Sequence, residues 1–103
     1  MKFLVEARIP TDVGNRKLKD GSMMKQAQAY LAEVRPDAVY FSVAEGQRTI
    51  FMIVNLAGPE KIPEIAEPLW LDWEAKVYFT PVMDAKEFEK AGPGIQKVVK
   101  SRM

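Results

Sequence analysis

The stretch Ala38-Val39-Tyr40-Phe41-Ser42-Val43-Ala44-Glu45-Gly46-Gln47-Arg48-Thr49-Ile50-Phe51-Met52-Ile53-Val54-Asn55-Leu56 decides the fold. On both sides of Glu45-Gly46-Gln47-Arg48 the apolar residues recur at every second position, which is the period of a β-strand. In Ala38–Ala44, Val39, Phe41 and Val43 share one parity, against Tyr40, Ser42 and Ala44. Over residues 49–56, Ile50, Met52, Val54 and Leu56 oppose Thr49, Phe51, Ile53 and Asn55. Two such runs joined by a short, glycine-containing connection predict a β-hairpin.

Working outward, the hairpin is flanked by a helix and a strand on each side. Upstream, Met23, Ala27, Tyr30, Leu31 and Val34 recur at helical spacing, with Ser22 as the expected N-cap and Pro36 as the stop. Before that, residues 11–15 with Gly14 read as a loop, and Lys2–Ile9 alternates as a strand ended by Pro10. Downstream, Gly58-Pro59 breaks the chain and Ile62, Ile65, Ala66 and Leu69 outline a second helix. Pro63 suits its first turn, whereas Pro68 predicts a kink or break. Lys76–Val82 is the last strand. Asp84 is expected to cap a short helix over residues 85–90, ended by Gly92-Pro93-Gly94, with a basic, partly helical or frayed tail over residues 95–103.

The order is therefore β-α-β-β-α-β with a C-terminal extension, the split βαβ or ferredoxin-like α+β pattern. Right-handed crossovers then predict one four-stranded antiparallel sheet, strands one and three central, helices on one face. We divide the chain into a ferredoxin-like domain over residues 1–84 and a C-terminal helical extension or tail over residues 85–103.

Composition bounds the chemistry. The chain has 103 residues, 48 % of them hydrophobic and 28 % charged, enough for one domain with its own core. Its formal net charge of +1 gives no global attraction to nucleic acid or anionic membrane. With no cysteine and no histidine, it has no Cys or His nucleophile, no thiolate or imidazole metal site and no His- or Cys-held haem. No metal or cofactor is expected. The longest apolar run, residues 50–54, falls far short of the roughly 20 residues that span a bilayer. Glu6 interrupts any signal-peptide core, so a cytoplasmic protein is expected.

Strand parity also predicts what the two sheet faces carry. Phe3, Val5, Ala7 and Ile9, Val39, Phe41 and Val43, Ile50, Met52, Val54 and Leu56, and Val77 and Phe79 should face the helices. The open face then carries Leu4, Glu6, Arg8, Tyr40, Ser42, Ala44, Thr49, Phe51, Ile53, Asn55, Lys76, Tyr78 and Thr80. A solvated face would be polar nearly throughout. Leu4, Tyr40, Phe51, Ile53 and Tyr78 instead form a patch that calls for a cover, and a second copy of the sheet supplies one.

The element order, this face and three local patterns resemble the dimeric α+β barrel superfamily. More narrowly, the chain is similar to an uncharacterised bacterial family of small single-domain ferredoxin-like proteins. The patterns are Ile9-Pro10 with Gly14-Asn15-Arg16 and Lys19-Asp20-Gly21-Ser22, then Ile62-Pro63-Glu64-Ile65-Ala66-Glu67-Pro68, then Phe79-Thr80-Pro81-Val82-Met83. The resemblance covers most of residues 1–84 and implies a homodimer. The wider superfamily includes monooxygenases, haem-degrading enzymes, isomerases and ligand-sensing domains. Many of its enzymes use a histidine, and this chain has none.

Within the open face, Glu6 and Arg8 are the sharpest pair, two residues apart on a central strand and so on one side. One reading has Arg8 clamp a carboxylate while Glu6 moves a proton. The other is a structural ion pair, cross-strand or between subunits. Tyr40, Ser42, Asn55, Tyr78 and Thr80 would share the cavity, either orienting a small organic acid or phenol or bonding across strands. Trp70 and Trp73 could roof the pocket or pack in the core. Gly14-Asn15-Arg16 and Gly21-Ser22 lack the spacing of a phosphate loop and read as a turn and cap. RNA-recognition modules share this element order but need aromatics on the first strand, where this chain offers Leu4, Glu6 and Arg8. No nucleic-acid or membrane partner is expected. The sequence therefore leads to a small-molecule-binding or structural homodimer, with a cofactor-independent enzyme acting on a small acidic or phenolic substrate as the alternative.

Overall fold

A computed structural model describes residues Met1–Met103. The strands are β1 (Lys2–Ile9), β2 (Ala38–Ala44), β3 (Gln47–Asn55) and β4 (Lys76–Val82), and the helices α1 (Thr11–Lys19), α2 (Ser22–Val34), α3 (Ile62–Trp73) and α4 (Ala85–Ser101). All strand pairs are antiparallel and the sheet order is β2-β3-β1-β4, so β1 and β3 are central as the crossover rule predicts. The hairpin closes through two residues, Glu45 at φ 52 and Gly46 at φ 74. Two successive positive φ angles mark the turn whose twist matches that of the strands. The tight turn starts β3 at Gln47, two residues earlier than expected, and brings Arg48 into the strand.

The core follows strand parity. Val5 and Met52 are opposite each other across β1 and β3, and both are fully buried. Leu69 and Trp73 of α3 and Met23 and Tyr30 of α2 close over them. The two polar tips in this core have partners. Tyr30 donates its hydroxyl to the Ile65 carbonyl at 2.8 Å, and Trp73 donates its indole N–H to Gln26 Oε1 at 2.9 Å. Burial pushes the Tyr30 phenol well above its ordinary pKa.

Several local expectations are corrected. Residues 11–15 are not a loop: α1 begins directly after Pro10. Val13 and Gly14 are its only buried residues, so it has too short an apolar stripe to show as periodicity. Gly14-Asn15-Arg16 accordingly lies within a helix and not in a turn. The start of α2 is held by Asp20, not by Ser22: Ser22 donates its N–H and its hydroxyl to Asp20 Oδ1 at 2.8 and 2.6 Å, lowering the Asp20 carboxyl pKa. Pro68 does not break α3, which runs on through it to Trp73; the carbonyl it leaves without a partner belongs to exposed Glu64. Pro81 sits in β4, an edge strand, where a missing N–H is tolerated.

The largest difference is α4. Gly92-Pro93-Gly94 does not end a short helix; one helix runs from Ala85 to Ser101 through it. The residue before Pro93 is a glycine, which has no side chain to clash with the proline ring. Asp84 does cap it, in a reciprocal arrangement with Glu87. No residue of α4 is buried, and with it the chain extends 60 Å along its long axis. No helix is long and apolar enough to cross a membrane.

Candidate functional site

Register converts the open face into a grid. One row across the four strands reads Tyr40, Phe51, Glu6, Tyr78. The row on one side reads Ser42, Thr49, Arg8, Lys76, and the row on the other Ala38, Ile53, Leu4, Thr80. Leu4, Phe51 and Ile53 are half-buried, whereas Tyr40 and Tyr78 are 66 % and 44 % exposed on the two edge strands. Three strand spacings separate those tyrosines, roughly 14 Å.

Glu6 and Arg8 meet within β1. Arg8 Nε donates to Glu6 Oε2, and both side chains are about three-quarters buried, at 24 % and 21 % exposure for Arg8 and Glu6. The guanidinium also lies over the Tyr78 ring, 4.9 Å from its centroid. The Glu6 bond raises the Arg8 pKa further, so Arg8 stays charged at every accessible pH. The pair is therefore neither cross-strand nor, within one chain, unpartnered.

The other candidates divide. Tyr40, Glu6 and Tyr78 share one row, Arg8 and Ser42 the next, and Thr80 sits beside Leu4. Asn55 does not join them. It stands at the end of β3 opposite Lys2, and its Oδ1 accepts from the N-terminal ammonium at 2.9 Å. Thr49 is buried although its parity places it on the open face, and its hydroxyl donates to the Gln47 carbonyl at 3.0 Å. Trp73 and Trp70 do not roof this face. Both are on α3, across the sheet, where Trp73 is core and Trp70 is partly exposed.

Sequence reasoning missed a second hollow on the helix side. Phe41 and Val43, expected in the core, are 62 % and 69 % exposed. Together with Ile9, Leu18, Met23, Met24 and Trp73 they line a groove of about 520 Å³ between α1, α2 and the β2–β3 hairpin. Arg48 also lines it. Its Nη2 donates to Asn15 Oδ1 at 3.0 Å, and its guanidinium lies so near Gly14 that a Cβ there would come 2.6 Å from Nη1. The available signal was Arg48 itself, which shares the apolar parity of Ile50 and Met52. No group of three or more Asp or Glu side chains is placed to hold a metal ion.

Topology makes the chain a ferredoxin-like α+β domain carrying one half-apolar open sheet face. No protein-family model and no curated protein matches the sequence. Among solved structures it is similar to the de novo designed protein Ferredog-Diesel, with a TM-score of 0.47 and 8 % identity over 79 % of this chain and 85 % of that chain.

Proposed function

We propose that this chain is a cytoplasmic homodimer, its open sheet faces packed together into a barrel whose cavity binds a small organic acid or phenol or serves a purely structural role. The row Tyr40–Phe51–Glu6–Tyr78, flanked by Leu4 and Ile53, carries the proposal. It sets aromatic and aliphatic surface around a single ion pair, the composition of an interface centre more than of a solvated sheet. Tyr40, Tyr78, Ser42 and Thr80 line the same face and supply hydroxyls to orient a ligand.

Catalysis without a cofactor has less support. The carboxylate that would move a proton, Glu6, is already held by Arg8 on its own strand. A carboxylate engaged in an ion pair on its own strand reaches a substrate proton only once that pair opens.

Sedimentation equilibrium of the wild type and Phe51→Lys tests the dimer. A wild-type dimer at micromolar concentration and a monomeric variant are expected; a monomeric wild type overturns the reading. A thermal-shift screen of small carboxylates and phenols against wild type and Arg8→Ala separates the two roles. Stabilisation of the wild type alone identifies a ligand site, and no hits assign a structural role.

A further inference from the structure

The helix-side groove differs in chemistry from the open face. Val39 of β2 packs against the core, but Phe41 and Val43, on the same parity, have nothing over them. The resulting hollow, about 520 Å³, falls within the range of small-ligand pockets. Met23 and Met24 give it a wall that can reshape around a flexible occupant.

Arg48 is the only charged residue among its walls. In the sheet register it stands between Ile9 and Val43, on the side that faces the helices. It takes part in none of the three ion pairs of the chain. Its one side-chain hydrogen bond goes to neutral Asn15, which leaves most of its five N–H donors free. A cation without a carboxylate partner, at the edge of an apolar hollow, is complementary to an anion that carries an apolar tail.

We infer that this groove binds a medium-chain carboxylate, its head on Arg48 and its tail along Met24, Phe41 and Val43. The guanidinium fork matches a carboxylate with two parallel hydrogen bonds. Charge also selects against the other apolar occupant the chain could offer, α4 of a second copy. Over that helix Lys86, Lys90, Lys97 and Lys100 outnumber Glu87 and Glu89, so it would bring net positive charge toward a cation. Apart from Ser42 and Thr49, which border both, the groove shares no lining residue with the open face, and its Arg48 lies on the helix side of the sheet.

Sodium decanoate, with decan-1-ol as the uncharged control, tests the site on the full chain carrying ¹³C-methyl methionine. Decanoate should shift the Met23 and Met24 methyl signals saturably and leave those of core Met52 and of Met83 in place. Arg48→Gln should weaken decanoate about tenfold or more, to the level of decanol on the wild type, because a charge-assisted pair is lost. Val43→Glu, at an exposed position that tolerates the change, should abolish binding. The inference is overturned by the absence of a saturable shift, by decanol binding as tightly as decanoate, or by an Arg48→Gln variant that binds unchanged. Met23 and Met24 signals that move with protein concentration alone, and block decanoate, would place a second copy in the groove and overturn it too.

Discussion

Arg8 holds its guanidinium carbon 4.9 Å from the centre of the Tyr78 ring while its Nε donates to the Glu6 carboxylate. A neighbouring strand and a residue of its own strand thus fix one cation from two directions. Such a clamp removes side-chain freedom before any partner arrives, which favours association through this face.

The clamp predicts a double-mutant cycle. Arg8→Met and Glu6→Gln should each lower the urea midpoint, and the double mutant should be milder than the sum of the two. In the Phe51→Lys background the coupling should shrink, because a solvated pair contributes little. Additive effects in the wild type would assign the pair no structural role.

Tyr30 makes a second prediction. Tyr30→Phe removes the hydrogen bond to the Ile65 carbonyl and should cost about 1 kcal/mol in chemical denaturation. Its phenol ionises at higher pH in the folded state than unfolded. That contribution is complete below the ordinary tyrosine pKa of about 10 and is lost as pH rises beyond it. Wild-type stability should therefore fall above about pH 10, and Tyr30→Phe should flatten that fall. Parallel alkaline profiles of the two proteins would refute it.

Core and surface leucines should separate sharply. Leu69 is 1 % exposed and Leu71 78 % exposed on the same helix. Leu69→Ala should cost about 2–5 kcal/mol by leaving a cavity. Leu71→Ala should stay within about 0.5 kcal/mol. Equal costs would mean that Leu71 is covered in solution.

Local sequence alone supports α4. With no buried residue, its helicity depends on its cap and its propensities, and Gly92-Pro93-Gly94 are poor helix formers. Pro93→Ala should increase far-UV helicity, and Asp84→Ala should lower helix stability by about 1 kcal/mol. Neither should move the unfolding midpoint of the core. A core midpoint that follows either variant would show that α4 packs against something in solution.

Much of the open face was legible because a strand turns its side chains with period two, so Tyr40, Phe51, Glu6 and Tyr78 were assigned to one face from parity alone. Their order along one row was not legible, since it depends on register, which the two-residue turn at Glu45-Gly46 sets. Asn55 illustrates the limit. Parity placed it correctly, but the N-terminal ammonium, which lies beside it only once β1 pairs with β3, took its side chain.

The sequence by itself determined the strands, the hairpin and the order β-α-β-β-α-β, because alternation, glycine turns and prolines act over a few residues. Tertiary structure decided which apolar residues find a cover. Phe41 and Val43 carry the same pattern as Val39, yet no helix lies over them, and that hollow has Arg48 on its wall. Only the folded chain brought Arg48 to Asn15, thirty-three positions away, and left α4 outside the core. Periodicity records the direction in which a side chain points from its own backbone. What stands in that direction is set by distant segments, through packing that no local pattern encodes.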